Sequence, residues 1–281
     1  MRLCKTVEEM RSYVNAVRAE GKTVGLVPTM GYLHQGHLSL MQEAKRRCDV
    51  VVVSIFVNPT QFGPKEDYQA YPRDLQRDAG LAAEVGVDVI FAPEVAEMYP
   101  PDFNTFVEVA EVSEPLCGAS RPGHFRGVAT IVTKLFNIVR PHMAFFGRKD
   151  FQQVLVIKRL VEDLNLDVNI VDLPIVREED GLALSSRNVY LTAEERRAAR
   201  VLFRSLSLAR RRVAAGERNT AGLKELVEQE IRSEPLAVID YVEILSLPRL
   251  KPLDTLQDKA LLALAVRFGK TRLIDNTVLE V

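Results

Sequence analysis

The sequence predicts an α/β protein: a Rossmann-like, doubly wound parallel sheet followed by a smaller α+β domain. Three observations carry this. Val24-Gly25-Leu26-Val27 and residues 50–57 are apolar runs of strand length, as expected of strands buried on both faces. Up to about residue 175 such runs alternate with segments of helical spacing, the pattern of βαβ crossovers. Beyond that point two long helical stretches are followed by strands without alternation, which suggests an α+β unit. Domains are therefore expected at 1–175 and 176–281. No low-complexity tract or flexible linker separates them, so the junction reads as a tight hinge.

Taken in order, Thr6 and Glu9 form a capping-box pattern at the head of a first helix that Gly21 closes. The strand from Val24 is expected to stop at Pro28. The turn through His34 and His37 then leads into a helix beginning LSLMQEAKRR, whose basic residues gather at its end as the helix dipole prefers. After the 50–57 strand come a polar loop, NPTQFG, and an irregular stretch, KEDYQAYPRD. LQRDAGLAAEVG reads as a helix and VDVIFAP as a strand. Residues 95–127 are irregular and proline-containing, with a strand-like TFVEVAEV at 105–112. Alternation resumes with helix VATIVTKLFNIVRP, strand MAFFG, helix DFQQVLVIKRLVEDLN and strand DVNIVDLPIV. Thr192 and Glu195 make a second capping box, opening one long helix to about residue 216. A helix from Thr220, strands VIDYVEILS and LLALAVRFG, and the tail TRLIDNTVLEV complete the chain.

The charge balance argues against two partner classes. With 37 Lys and Arg against 38 Asp and Glu, no net field favours nucleic acid or an anionic membrane. The run Arg210-Arg211-Arg212 lies among alanines and leucines and reads as a solvated helix face. Three scattered cysteines, Cys4, Cys48 and Cys117, fit reduced thiols rather than a disulfide framework. With no long apolar span and no signal-peptide core near Met1, the expected location is cytoplasmic.

The chemistry gathers in four patches. The first is the turn holding His34 and His37, between a buried strand and a helix. A helix N-terminus offers unpaired N–H groups and partial positive charge to phosphate, two imidazoles add donors, and Gly31 and Gly36 permit close approach. The patch suits a nucleotide triphosphate and charge developing on it. A zinc site is not expected, because His124 and His142 do not form a second cluster with this pair. The second patch is Gln61, whose amide can orient a substrate bearing hydroxyl and carboxylate groups. The third, residues 146–153, repeats the strand–turn–helix arrangement: Gly147 permits close approach, Lys149 can meet a phosphate, and Asp150 suits a cap or a ribose or metal-water contact. The fourth, residues 184–188, sets Ser185, Ser186 and Arg187 in a glycine-containing loop that serves equally as a phosphate clamp or a linking turn.

Together, PTMGYLHQGH, SIFVNPTQFGPKEDYQAYPRD, RPGHFRGVATIVTKLFNIVRP, FGRKDFQQ, DGLALSSRN and TRLIDN resemble the pantothenate synthetases, the pantoate–β-alanine ligase family, in family order over nearly the whole chain. The HQGH turn alone would indicate only the wider nucleotidyl-transferase superfamily. The resemblance implies an ATP-dependent ligase. Pantoate's carboxylate attacks the α-phosphate of Mg-ATP, and the amine of β-alanine then attacks the pantoyl adenylate. It implies that ATP is lined by Met30, Gly31, Tyr32, Leu33, His34, Gln35, Gly36 and His37, by Gly147, Arg148, Lys149 and Asp150, and by Val176, Leu184, Ser185, Ser186 and Arg187. His37, partnered by His34, would donate a proton or stabilise phosphate charge, with Lys149 as a further catalytic cation. Gln61 and Gln153 would hold pantoate, Gln61 also meeting β-alanine. Mg2+ would accompany ATP, with no protein ligand assigned to it. A homodimer formed through the N-terminal domains is implied, with the C-terminal domain as a cover.

Two rivals remain on the sequence alone. An adenylyltransferase acting on a phosphate-bearing acceptor would share the histidine turn, but the neutral amides of Gln61 and Gln153 suit a small hydroxy acid better. A nucleotide sensor without catalysis would not need His34, His37, Lys149 and Arg187 together.

Overall fold

Six parallel strands make the larger sheet: β1 (Arg2–Cys4), β2 (Val24–Thr29), β3 (Val50–Ile55), β4 (Val89–Phe91), β5 (Met143–Gly147) and β6 (Asn169–Leu173). Their spatial order is β1-β4-β3-β2-β5-β6. The chain therefore moves outward in one direction through β3 and β4, then returns to the other side of β2 for β5 and β6. This reversal puts a topological switch point between β2 and β5, and ligands of such sheets bind beyond the carboxyl ends of the strands at that crevice. The structure is a computed structural model and describes residues 1–64 and 66–281; Lys65, within the expected irregular stretch, lies outside the described residues.

Every residue of 24–27 and 50–54 is buried, so both faces of the sheet are covered there. On one face Val27, Val51 and Val53 share a core with Leu38, Met41 and Ala44 of α2 (Gln35–Arg47) and Ala82 of α3 (Leu75–Glu84). Helices α1 (Val7–Ala19) and α6 (His124–Val139) pack on each other and both reach β2. Between α3 and α6 lie the short helices α4 (Val95–Met98) and α5 (Cys117–Ser120); α7 (Phe151–Asp163) joins β5 to β6. The expected doubly wound α/β sheet is present, as is the smaller α+β part. In the latter, α8 (Ala193–Ala198), α9 (Val201–Ala214) and α10 (Thr220–Arg232) precede an antiparallel sheet, β7 (Ala237–Ser246), β8 (Ala260–Phe268) and β9 (Thr271–Leu279), in that order. Leu202, Leu206, Leu223, Val227, Leu262 and Leu264 share its core.

The chain divides into two compact units. One comprises Met1–Ser113, Cys117–Arg148 and Gln152–Pro174; the other comprises Glu114–Leu116, Lys149–Phe151 and Ile175–Val281.

Four local expectations differ from what is observed. Pro28 does not end β2, which runs to Thr29 with Pro28 opposite Ser54. The Thr29 carbonyl accepts from Phe56 N on the β3 side, so alternation turns position 28 toward β5, which pairs only with Gly25 and Leu26. The missing proline N–H removes no ladder bond there. Residues 105–112 form no strand. Their alternation turns Val107 and Val109 inward but ends at Glu111, φ +56°, and Val112 is buried out of that period; the Val107 N–H is taken at 3.0 Å by the Thr130 hydroxyl of α6, not by a sheet edge. The single helix expected from residue 193 is two, because Leu202 N bonds Ala199 O, three residues back, and tightens the join between α8 and α9. Helix α2 also begins earlier than expected, which makes His34 its N-cap and puts His37 in its first turn.

Candidate active site

The β2–α2 turn owes its shape to a small set of bonds. Gly31 has φ +83°, and a Cβ there would come within 3.0 Å of both Asp78 Oδ2 and Ile55 Cγ2. Glycine is required on both counts. Its N–H donates to the Thr29 hydroxyl at 3.1 Å. The chain then turns into α2 with His34 as the N-cap and His37 at the third helical position.

An imidazole capping box results. Gly36 N donates to His34 Nδ1 at 3.1 Å, and His34 N donates to His37 Nδ1 at 3.3 Å. The ring centroids lie 4.0 Å apart. Since each Nδ1 accepts a backbone N–H, each neutral ring carries its proton on Nε2. The tautomer is thus set by the helix start, and each ring presents an N–H donor at a helix N-terminus, where anions bind.

Sequence reasoning missed the support beneath this turn. Asp78 of α3 is buried, and its carboxylate accepts Tyr32 N at 2.6 Å and Leu33 N at 2.7 Å. Burial raises its pKa, against the lowering effect of those two bonds. Arg77 donates to the Leu33 carbonyl at 2.9 Å and lies over the Tyr32 ring. The available signal was a lone carboxylate four residues before Ala82, on the apolar side of its helix.

Gln61 ends the short 3₁₀ turn Pro59–Gln61. Its Oε1 accepts from Asn58 Nδ2 at 3.0 Å, and its Nε2 lies 3.1 Å from Met30 Sδ, so the structure brings Gln61 to the histidine turn. Asn58 is itself buried and held by Gly127 O and by Tyr99 OH, whose pKa burial pushes up to about 12. At Gly127 a Cβ would sit 2.3 Å from Thr60 O, so only glycine lets α6 approach the 3₁₀ turn. The Gln61 carbonyl is gripped by Arg121 at 3.2 Å and His124 Nδ1 at 2.9 Å. Arg121 also forks onto Glu66 at 2.6 and 2.7 Å. Burial opposes ionisation of Glu66, but this guanidinium and a backbone bond from Gly63 help to outweigh it, and the carboxyl is held below its ordinary range. None of Asn58, Arg121 or Glu66 was singled out from sequence.

Gly147 closes β5 at the switch point. Arg148 beside it is exposed and bonds Asp172 of β6, as does Lys158. Gln153 is half-buried in the first turn of α7, and its side chain makes no hydrogen bond among the described residues. The neighbouring Gln152 is instead structural, accepting Cys117 N and donating to Val112 O, both at 3.1 Å.

In the second unit, Lys149 has its ammonium 3.7 Å from Asp150. Val176 and Leu184 face each other across a hairpin, with Leu184 N on Val176 O at 3.0 Å. Its tip packs Gly181, φ +92°, against the Phe203 ring, where a Cβ would lie 2.0 Å from Cδ1. Ser185 caps the turn Ser186–Tyr190 by accepting Arg187 N at 3.2 Å, and Asn188 ties back to Ala183 O at 3.1 Å. The hairpin is held from β9: Arg177 forks onto the buried Asp275 at 2.7 and 2.8 Å. The next residue, Asn276, donates to the Lys149 carbonyl at 2.9 Å. Among the described residues no three His, Cys, Asp or Glu side chains gather as a metal-holding group.

This combination of patches can be set against known proteins. A family model described as pantoate-beta-alanine ligase matches residues 2–278. The pantothenate synthetase of Pelotomaculum thermopropionicum is 61% identical over 279 residues, 99% of each chain. The crystal structure of pantothenate synthetase from Thermus thermophilus is 49% identical, with a TM-score of 0.94 over 99% of both chains. That of the pantoate-beta-alanine ligase from Francisella tularensis, complexed with beta-gamma ATP and beta-alanine, is 36% identical, with a TM-score of 0.81 over 99% of this chain and 97% of that one. The chain belongs to the pantoate–β-alanine ligase family.

Proposed function

We infer that this chain joins pantoate to β-alanine at the expense of ATP. In the first step the pantoate carboxylate attacks the α-phosphorus, an O–P bond forms, and the bond to pyrophosphate breaks. In the second, the β-alanine amine attacks the acyl carbon, a C–N bond forms, and AMP leaves with the C–O bond. The observation that carries this reading is the paired Nε2–H imidazoles at the N-terminus of α2, beyond the carboxyl end of β2 at the switch point. Donors fixed there meet the negative charge that develops on phosphate without rearranging as it forms. No covalent nucleophile is required. The adenylyltransferase alternative is not favoured, since the family match is to the ligase.

The residue roles are part of the proposal. Residues 30–37, Gly147 and Arg148 are assigned to ATP in the first unit, and Lys149, Asp150, Val176 and residues 184–187 in the second. His37 is the donor to the phosphates, His34 its partner, and Lys149 a further cation. The Gln61 amide, oriented by Asn58 and Met30, and the Gln153 amide suit the hydroxyl and carboxylate groups of pantoate. Gln61 also meets β-alanine. Mg2+ binds phosphate and water readily and needs few protein carboxylates, so the donor set here fits an ion carried by ATP. Residues 1–175 form the nucleotide- and pantoate-binding domain of this reading and residues 176–281 a smaller α+β domain. A homodimer through the N-terminal domain and a cytoplasmic location complete the proposal. Three buried cysteines without disulfides are consistent with a reducing compartment, and no described helix is long and apolar enough to cross a membrane.

The test is pyrophosphate release from Mg-ATP, first with pantoate alone and then with β-alanine added. Release that depends on pantoate, with AMP and pantothenate appearing once β-alanine is present, is expected. Release without pantoate dependence would overturn the reading.

A further inference from the structure

Two consecutive residues of β9, Asp275 and Asn276, are polar and buried, in a sheet whose neighbouring strand β8 is apolar almost throughout. Strand side chains alternate between faces, so the pair spends buried positions on both sides of an edge strand. Burying such groups costs free energy unless each is satisfied, and a buried ion pair adds little stability over apolar packing. Here both are satisfied by segments bearing phosphate-handling groups. Asp275 holds Arg177, which also donates to Gly181 O at 3.0 Å and lies over Phe203, so β9 is fastened to the hairpin that leads to residues 184–187. Asp275 Oδ1 further accepts Asn276 N at 2.8 Å, which fixes the backbone from which Asn276 reaches across 127 positions to Lys149. The Asn276 amide must present Nδ2, since a carbonyl can only accept.

We propose that Asn276 is a positioning residue for Lys149: its bond to the Lys149 carbonyl fixes where that residue's ammonium stands, while Asp275 fixes Asn276. This rests on the functional reading above, in which Lys149 meets the ATP phosphates. A lysine is a point charge on a flexible four-carbon stem, so its aim depends on how its backbone is held. The TRLIDN segment then serves the adenylation step without touching substrate.

The experiment is a double-mutant cycle on the full-length protein. Asn276→Asp is nearly isosteric but replaces the Nδ2 donor with a carboxylate oxygen; Asn276→Ala removes the donor without adding charge. Each is measured alone and with Lys149→Ala, by pantoate-dependent pyrophosphate release across an ATP series. Reaction of supplied pantoyl adenylate with β-alanine serves as the control. Loss of one hydrogen bond and the resulting displacement are expected to lower kcat/KM for ATP roughly ten-fold. The amine step should keep its rate, and in the Lys149→Ala background the Asn276 substitutions should cost nothing further. Equal losses in both backgrounds, or loss of the amine step in parallel, would make Asn276 merely structural and overturn the proposal, as would unchanged kinetics in both single variants. Absence of pantoate-dependent release in the unsubstituted protein would instead reject the functional reading itself.

Discussion

The Asp78 carboxylate accepts the Leu33 N–H at 2.7 Å, joining α3 to the turn before α2 across 45 positions. The same group takes Tyr32 N, a residue held at φ +51°. An L-residue in that region is strained and persists only where its surroundings determine it. Asp78→Ala would leave the buried Leu33 N–H and the part-buried Tyr32 N–H without this acceptor. We expect a loss of about 2–3 kcal/mol in unfolding free energy, together with a raised KM for ATP. Urea denaturation and an ATP series would check both, and an unchanged unfolding midpoint would show that Asp78 does not hold the turn.

The two histidines should separate in their effects. His37→Ala should slow pantoate-dependent pyrophosphate release by about 10²–10³-fold, the usual consequence of losing one donor to developing charge. The reaction of supplied pantoyl adenylate with β-alanine should change far less. His34 is also the helix cap, so His34→Ala should additionally cost about 1 kcal/mol of stability, and His34→Asn should recover most of that while leaving activity low. A normal pyrophosphate burst in His37→Ala would remove it from the mechanism.

Gly127→Ala tests whether α6 positions Gln61. The added methyl would meet Thr60 O at 2.3 Å, so the 3₁₀ turn must move. The expected signature is a raised KM for pantoate with little change in KM for ATP, shared with Gln61→Ala. Equal changes in both constants would mean that the substitution disturbs the sheet more widely.

Glu66 gives a pH dependence with a definite sign. Its carboxyl is pushed down on folding from the ordinary 4.5, with burial opposing and Arg121, aided by a backbone bond from Gly63, acting against it. Such a group adds stability above its unfolded pKa and loses it as the pH falls through the lowered folded value. Stability should therefore drop on acidification below about 4.5, and Glu66→Gln should flatten that part of the curve while lowering stability at neutral pH. Unfolding midpoints measured from neutral to acid pH would show it; parallel curves for the two proteins would contradict it.

Much of this molecule is written locally. The capping boxes at Thr6 and Thr192 and the apolar runs that begin β2 and β3 are patterns within a few residues, and each forms where its spacing implies; the His34–His37 turn is also local, though α2 takes it up as its N-terminus. The same local reading fails where the outcome depends on a neighbour. Alternation through Val107 and Val109 specifies one inward face but not whether a sheet edge or α6 receives it, and Pro28 is tolerated only because β5 does not pair there.

The sequence by itself determined the α/β order of elements, the family, and the residue types able to handle phosphate, because these depend on periodicity and short motifs. Only the tertiary structure decided which groups hold those residues in place. Asp78 under Leu33, Arg121 on Gln61, Gly127 against Thr60 and Asn276 on Lys149 each join positions 45 to 127 apart. No local pattern encodes such pairs, since each exists only once the chain has closed the loop between them.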